Sequence, residues 1–163
     1  VTDSPPGPLG APTIDLGTAT TNRTERERKR YRALALTVAE IVFITSADGS
    51  IVHMPRWLEL TGQSKDDIRE FGWLRAIHPD DRAPTKTVWQ HSLDTGSAYR
   101  TTYRIRMKTG GYRWFEIRAS PILDDRGRVE EWIGLCIDID DRIQAEQTQR
   151  AEAEALRDSD RRF

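Results

Sequence analysis

The sequence predicts an α+β fold on an antiparallel sheet. Three observations carry this. Three successive runs between Tyr99 and Asp138 alternate side chains with strand period, turn-forming segments divide those runs, and helix-period segments flank them. Read in order, residues 1–22 hold Pro5, Pro6, Pro8 and Pro12 among Gly, Thr and Ala, a composition that cannot offset its ordering entropy, so a disordered tail is expected. Thr24 with Glu27 forms a capping box, and Tyr31, Leu34, Ala35 and Val38 share a stripe, predicting an amphipathic helix over 23–40. Glu40 to Thr45 reads as a strand, Ala47-Asp48-Gly49-Ser50 as a hairpin turn and Ile51 to Met54 as its return. Short helices follow: Arg56 to Leu60 stopped by Gly62, a turn capped by Ser64, and an apolar segment from Trp73 to Ile77. After His78-Pro79-Asp80-Asp81, a helix from about Arg82 to Asp94 places Thr85, Val88, Trp89, Ser92 and Leu93 on one side. The meander then runs Tyr99 to Lys108, Tyr112 to Ile122 and Arg128 to Asp138, with turns at Gly110-Gly111 and Asp124-Asp125-Arg126-Gly127. Residues 141–163 contain no interior Gly or Pro and predict one long, exposed helix.

The 163 residues, 37% hydrophobic with a formal net charge of −1, suit one core with polar appendages. No apolar run approaches the roughly 20 residues that cross a bilayer, and the first residues lack the pattern of a signal peptide. A soluble, cytoplasmic protein is expected, without a membrane partner. The near-neutral charge gives no general reason to bind nucleic acid. The basic run Arg26, Arg28, Lys29, Arg30 and Arg32 is interleaved with Glu25 and Glu27, as on a solvated helix face. Cys136 is the single cysteine, which excludes an intrachain disulfide and a cysteine-based zinc site.

Catalytic signals are absent. The acidic pairs Asp80-Asp81, Asp124-Asp125 and Asp140-Asp141 fall at a helix start, in a turn and at the start of the last helix, where backbone hydrogen bonding accounts for each. No phosphate-cradling Gly loop, nucleophile motif or metal-ligand spacing is present, so no catalytic or metal residue is assigned.

As an ordered set, Pro55-Arg56-Trp57-Leu58-Glu59-Leu60-Thr61-Gly62, Gly72-Trp73, His78-Pro79-Asp80-Asp81-Arg82, Tyr103-Arg104, Gly110, Tyr112-Arg113-Trp114, Trp132-Ile133-Gly134 and Asp138-Ile139-Asp140 resemble the PAS domain with its PAC half, the subtype of bacterial sensor histidine kinases and diguanylate cyclases. The likeness covers about Tyr31 to Glu146. It implies a five-stranded antiparallel sheet with short helices on its inner face, an N-terminal capping helix and a C-terminal exit helix, with the core at 41–140. Relatives usually carry a helix-capping Asn before Pro-x-Trp, where this chain has Met54.

The resemblance further implies a ligand pocket formed by Phe43, Thr45, Trp57, Leu60, Trp73, Ile77, Trp89, Tyr103, Ile105, Phe115, Ile117 and Cys136, with Ala119 and Gly134 also facing inward. Such a lining suits a small, apolar, uncharged ligand. Tyr31, Leu34, Ala35, Val38, Val42, Ile44, Ile133, Leu135 and Ile137 are the expected dimer interface, because the outer sheet face is too apolar to stand wet. Asp138, Ile139 and Asp140 are the expected signal junction, with Asp140 as helix cap. The exit helix would lead to a kinase or cyclase output domain downstream, and Leu156 to Phe163 resembles the opening of another PAS repeat. Its apolar residues Ile143 and Leu156 share no heptad position, which predicts loose pairing. Flavin is disfavoured: Gly72 to Arg82 has no Cys, and Ile105, Phe115 and Cys136 stand where flavin-binding relatives carry amides. Haem is disfavoured because His91 falls off the buried stripe; His78 belongs to a turn, and His53 has no second ligand nearby. The expected function is a non-catalytic sensory and dimerisation module, with a dimerisation module of filled core as the rival and a haem gas sensor as the remoter one.

Overall fold

A computed structural model describes residues 24–30, 33 and 41–162. Residues 24–30 are helical (α1) and exposed, and form part of a unit of their own. The expected lid and dimer residues Tyr31, Leu34, Ala35 and Val38 lie outside the described residues, as does the predicted tail.

The second unit carries strands β1 (Ile41–Ser46), β2 (Ile51–His53), β3 (Tyr99–Arg106), β4 (Tyr112–Leu123) and β5 (Val129–Asp138), with helices α2 (Pro55–Thr61), α3 (Pro79–Thr95) and α4 (Asp140–Arg161) and a 3₁₀ turn at Gly72–Ala76. The strands form one sheet in the order β2-β1-β5-β4-β3, every pair antiparallel. β1–β2, β3–β4 and β4–β5 pair through tight turns, β2 and β3 stand at opposite edges, and β1 pairs with β5, placing the first and last strands side by side at the centre.

Alternation decides the faces. Ile41, Phe43, Tyr103, Ile105, Phe115, Ile117, Ala119, Trp132 and Cys136 are buried and join Trp57, Trp73, Ile77 and Trp89 of the helical segment in one core. Gly134 belongs to this face because Phe43 lies opposite it in register, and a Cβ on Gly134 would overlap the Phe43 ring. Gly49, at φ +89°, turns the β1–β2 hairpin where an added Cβ would meet Leu93 Cδ1 at 2.8 Å.

Helix α3 begins three residues earlier than the sequence predicts. His78 caps it, Nδ1 accepting from Asp80 N–H at 3.2 Å, and Pro79 occupies the first turn, where its missing N–H costs nothing. The Asp80-Asp81 pair therefore does not supply the cap. Asp81 instead accepts from Arg104 of β3, at 2.9 Å from the backbone N–H and 2.9 Å from each of Nε and Nη2. Val88, expected on the buried stripe of α3, is 38% exposed, while Thr85, Trp89 and Ser92 are buried.

Candidate functional site

Each strand of the sheet contributes to a cavity enclosed with α2, the 3₁₀ turn and α3. Its wall consists of Phe43, Thr45, Ile51, Met54, Trp57, Trp73, Trp89, Tyr99, Tyr103, Ile117 and Cys136. The free space is about 20 Å³, room for a water-sized molecule. Among the described residues no charged side chain lines it, so an ionised ligand would lose its hydration without a counter-charge there. Thr45 Oγ1 donates to Ser46 O at 2.8 Å and Trp57 Nε1 to Gln63 Oε1 at 2.7 Å. Tyr103 and Cys136 are neighbours on the wall. Burial pushes the Cys136 thiol and the phenols of Tyr99 and Tyr103 well above their ordinary ranges, so all three stay protonated and Cys136 is a poor nucleophile. Tyr99 Oη is buried without a partner among the described residues.

Where β4 begins and β5 ends, a few residues from Ile117 and Cys136 of the wall, a charged junction holds α4. Arg113 Nε donates to Asp138 Oδ2 at 2.7 Å and Arg113 Nη2 to Asp141 Oδ1 at 3.2 Å. These hydrogen bonds, Asp138's foremost, push the Arg113 guanidinium further up. Asp138 Oδ1 accepts from Asp140 N–H at 2.9 Å, whereas Asp140 Oδ1 accepts from the backbone N–H of Trp114 at 3.1 Å. Trp114 O in turn accepts from Ile139 N–H at 2.9 Å. Asp140 is thus not the expected cap: Ile139 stands at the N-cap of α4 without a side-chain cap bond, Asp138 accepts from the first helical N–H, and Asp140, 9% exposed, ties the first turn to β4.

The model of the PAS fold matches residues 50–136, more than half of the chain. The chain belongs to the PAS family. It is 32% identical over 136 residues to the uncharacterized protein y4lL of Sinorhizobium fredii, covering 83% of this chain and 16% of that protein. It is 33% identical over 140 residues to the peroxide stress-activated histidine kinase mak1 of Schizosaccharomyces pombe, covering 78% of this chain and 8% of that one. The chain therefore spans less than a fifth of either relative. The crystal structure of a sensory box histidine kinase/response regulator from Burkholderia thailandensis matches the fold with a TM-score of 0.58 at 23% identity, covering 78% of this chain and 98% of that one. PAS domains are typically non-catalytic sensor modules.

Against the pocket the PAS resemblance implied, Phe43, Thr45, Trp57, Trp73, Trp89, Tyr103, Ile117 and Cys136 are on the cavity wall. Ile77, Ile105 and Phe115 are buried in the surrounding core without lining the cavity, and Leu60 packs partly buried against that core. Sequence reasoning missed Ile51, Met54 and Tyr99 on the wall and Trp132 behind it. Tyr99 and Trp132 each continue the inward alternation of strands already identified, so carrying the period to the strand ends would have found them. Met54 stands at the N-cap of α2 with no side-chain cap bond and turns its thioether into the wall.

The wall carries neither carboxamide nor histidine, and its room is far below the several hundred Å³ of a cofactor pocket. These residues fit neither an isoalloxazine edge nor a haem iron. His91 is exposed on α3. Among the described residues no group of His, Cys, Asp or Glu is placed to hold a metal, and no helix is long and apolar enough to cross a membrane. On the outer sheet face Val42, Ile44, Ile133, Leu135 and Ile137 are half-buried, with Val42 opposite Leu135 and Ile44 opposite Ile133.

Proposed function

We propose that this PAS chain is a sensory and dimerisation module of a bacterial signal-transduction protein, without catalysis of its own, working in the cytoplasm. It couples occupancy of the cavity, or partner contact, to a kinase or cyclase output domain through α4. The observation that carries this reading is the sharing of strands. Ile117 of β4 and Cys136 of β5 wall the cavity, and a few residues along the same two strands Arg113, Trp114 and Asp138 hold the first turn of α4. A displacement at the wall is then transmitted as a change in how α4 leaves the sheet. In this scheme 41–140 form the sensory core and 141–163 the output helix. Hydrogen exchange on Asp138→Ala tests the coupling: α4 amides near Asp141 should exchange faster while β1 and β5 keep their protection. Unchanged exchange in α4 would remove Asp138 from the output path.

The small cavity volume favours a second reading, a dimerisation module with a filled core. Native mass spectrometry separates the two, since a co-purifying small molecule supports sensing and a bare dimer supports the filled core.

A further inference from the structure

We infer that the cavity takes a small neutral molecule that presents a hydrogen-bond acceptor to Tyr99 Oη. This rests on the reading of the cavity as a sensory site and names the chemistry the site selects. Tyr99, at the start of β3, is 3% exposed and on the cavity wall. Three buried polar side-chain atoms lack a partner among the described residues, on Thr85, Tyr99 and Trp132, and only that of Tyr99 belongs to a wall residue. Leaving a buried hydroxyl unpaired is a cost that phenylalanine would avoid at this position. The phenol ring packs edge-on against Trp89, centroids 4.8 Å apart at 69°, so the ring is held by its neighbour.

The remaining wall chemistry narrows the ligand. Thr45 and Trp57 already have their hydrogen bonds, and among the polar atoms of the described wall residues Tyr99 Oη is the one both fully buried and without a partner. The absence of charge on the wall selects a neutral molecule, and the flanking rings of Phe43, Trp57 and Trp73 select an apolar body. The existing 20 Å³ accommodates the acceptor end. The rest displaces the walls most able to yield, the unbranched Met54 side chain and Ile51 on the three-residue edge strand β2.

Cyclopentanone and methylenecyclopentane are close in shape and differ in the carbonyl acceptor. Each is titrated into the purified chain and into Tyr99→Phe, following the indole N–H signals of Trp57, Trp73 and Trp89 by NMR. The ketone should bind the parent several-fold more tightly than the hydrocarbon, and Tyr99→Phe should bring the two affinities together. The thermal midpoint of ligand-free Tyr99→Phe should equal or exceed that of the parent, because no bond is lost. Equal binding of both probes to the parent, or a ketone preference that survives in Tyr99→Phe, overturns the role of Tyr99 while leaving the cavity as a ligand site. If neither probe moves the indole signals of either protein, the sensory reading falls with it. A lowered midpoint for ligand-free Tyr99→Phe would mean that the hydroxyl is already paired, and overturns the inference.

Discussion

Gly134 sits where one missing carbon decides how the sheet meets the helices. Its partner across the central strand pair is Phe43, whose ring occupies the space a Cβ would need. Gly134→Ala should therefore force the ring off its position and lower stability by about 1–3 kcal/mol, the usual range for overpacking. A Phe43→Leu substitution in the same chain should recover part of the loss, and urea midpoints of the three variants measure both effects. An alanine variant as stable as the parent would mean that the ring moves aside freely. Met54 shows the opposite exchange, a polar cap given up for an apolar wall. Helix α2 begins without a side-chain cap, but Pro55 at its first position needs no N–H partner, which limits the cost.

At the level of elements, Asp81 joins α3 to the edge strand β3. Its carboxylate holds Arg104 by backbone and guanidinium, and that guanidinium lies over the Trp114 ring, 4.8 Å from its centroid. His78 N–H donates to Arg104 O at 3.0 Å and Ile77 bridges Ile105, so the exposed edge of β3 is partly covered by its own chain. Hydrogen bonds from Arg104 hold the Asp81 carboxyl below the usual aspartate range despite its burial. Because the folded value lies below the unfolded one, the stabilisation is complete above the ordinary aspartate range and is lost as pH falls through the folded value. Asp81→Asn should cost about 2 kcal/mol at neutral pH. The deficit should shrink below about pH 4. Denaturant midpoints across pH 2.5–7 check this, and a pH-independent deficit would assign the effect to packing. The helices that strand periodicity could not place were set by such cross-element bonds. The pattern of α3 showed the helix as far as its end near Asp94, whereas its start depended on His78 meeting the backbone of Asp80.

For the whole molecule, the outer sheet face is the open question. Val42, Ile44, Ile133, Leu135 and Ile137 form a half-buried apolar stripe on β1 and β5, flanked on β4 by Glu116, which Arg100 and Arg118 each bond at 3.0 Å. A second copy is the proposed cover, the residues 31–40 that would share this task lying outside most of what is described. Sedimentation velocity should find the parent chain dimeric at high concentration and Leu135→Glu shifted to monomer. A monodisperse parent monomer would sink the dimer. The long α4, exposed along nearly all its length, is expected to stay loosely paired, since its apolar residues make no continuous seam.

The sequence by itself determined the α+β class, the order of the elements, the turn positions and which strand residues share a face, because strand and helix periods and Gly turns are local properties that side-chain order records directly. Strand period put Tyr103 with Ile105 and Phe115 with Ile117 on shared faces, and the PAS resemblance turned those faces, with Cys136, inward. The pairing of β1 with β5, the acceptance of the Asp140 N–H by Asp138 while Asp140 itself bonds β4, and the Tyr99 hydroxyl left unpaired among the described residues on the cavity wall were decided only by the tertiary structure. Each depends on which distant backbone or side chain stands opposite. A carboxylate at a strand–helix junction has several N–H groups within reach, and the packing of β4 against the start of α4 selects among them.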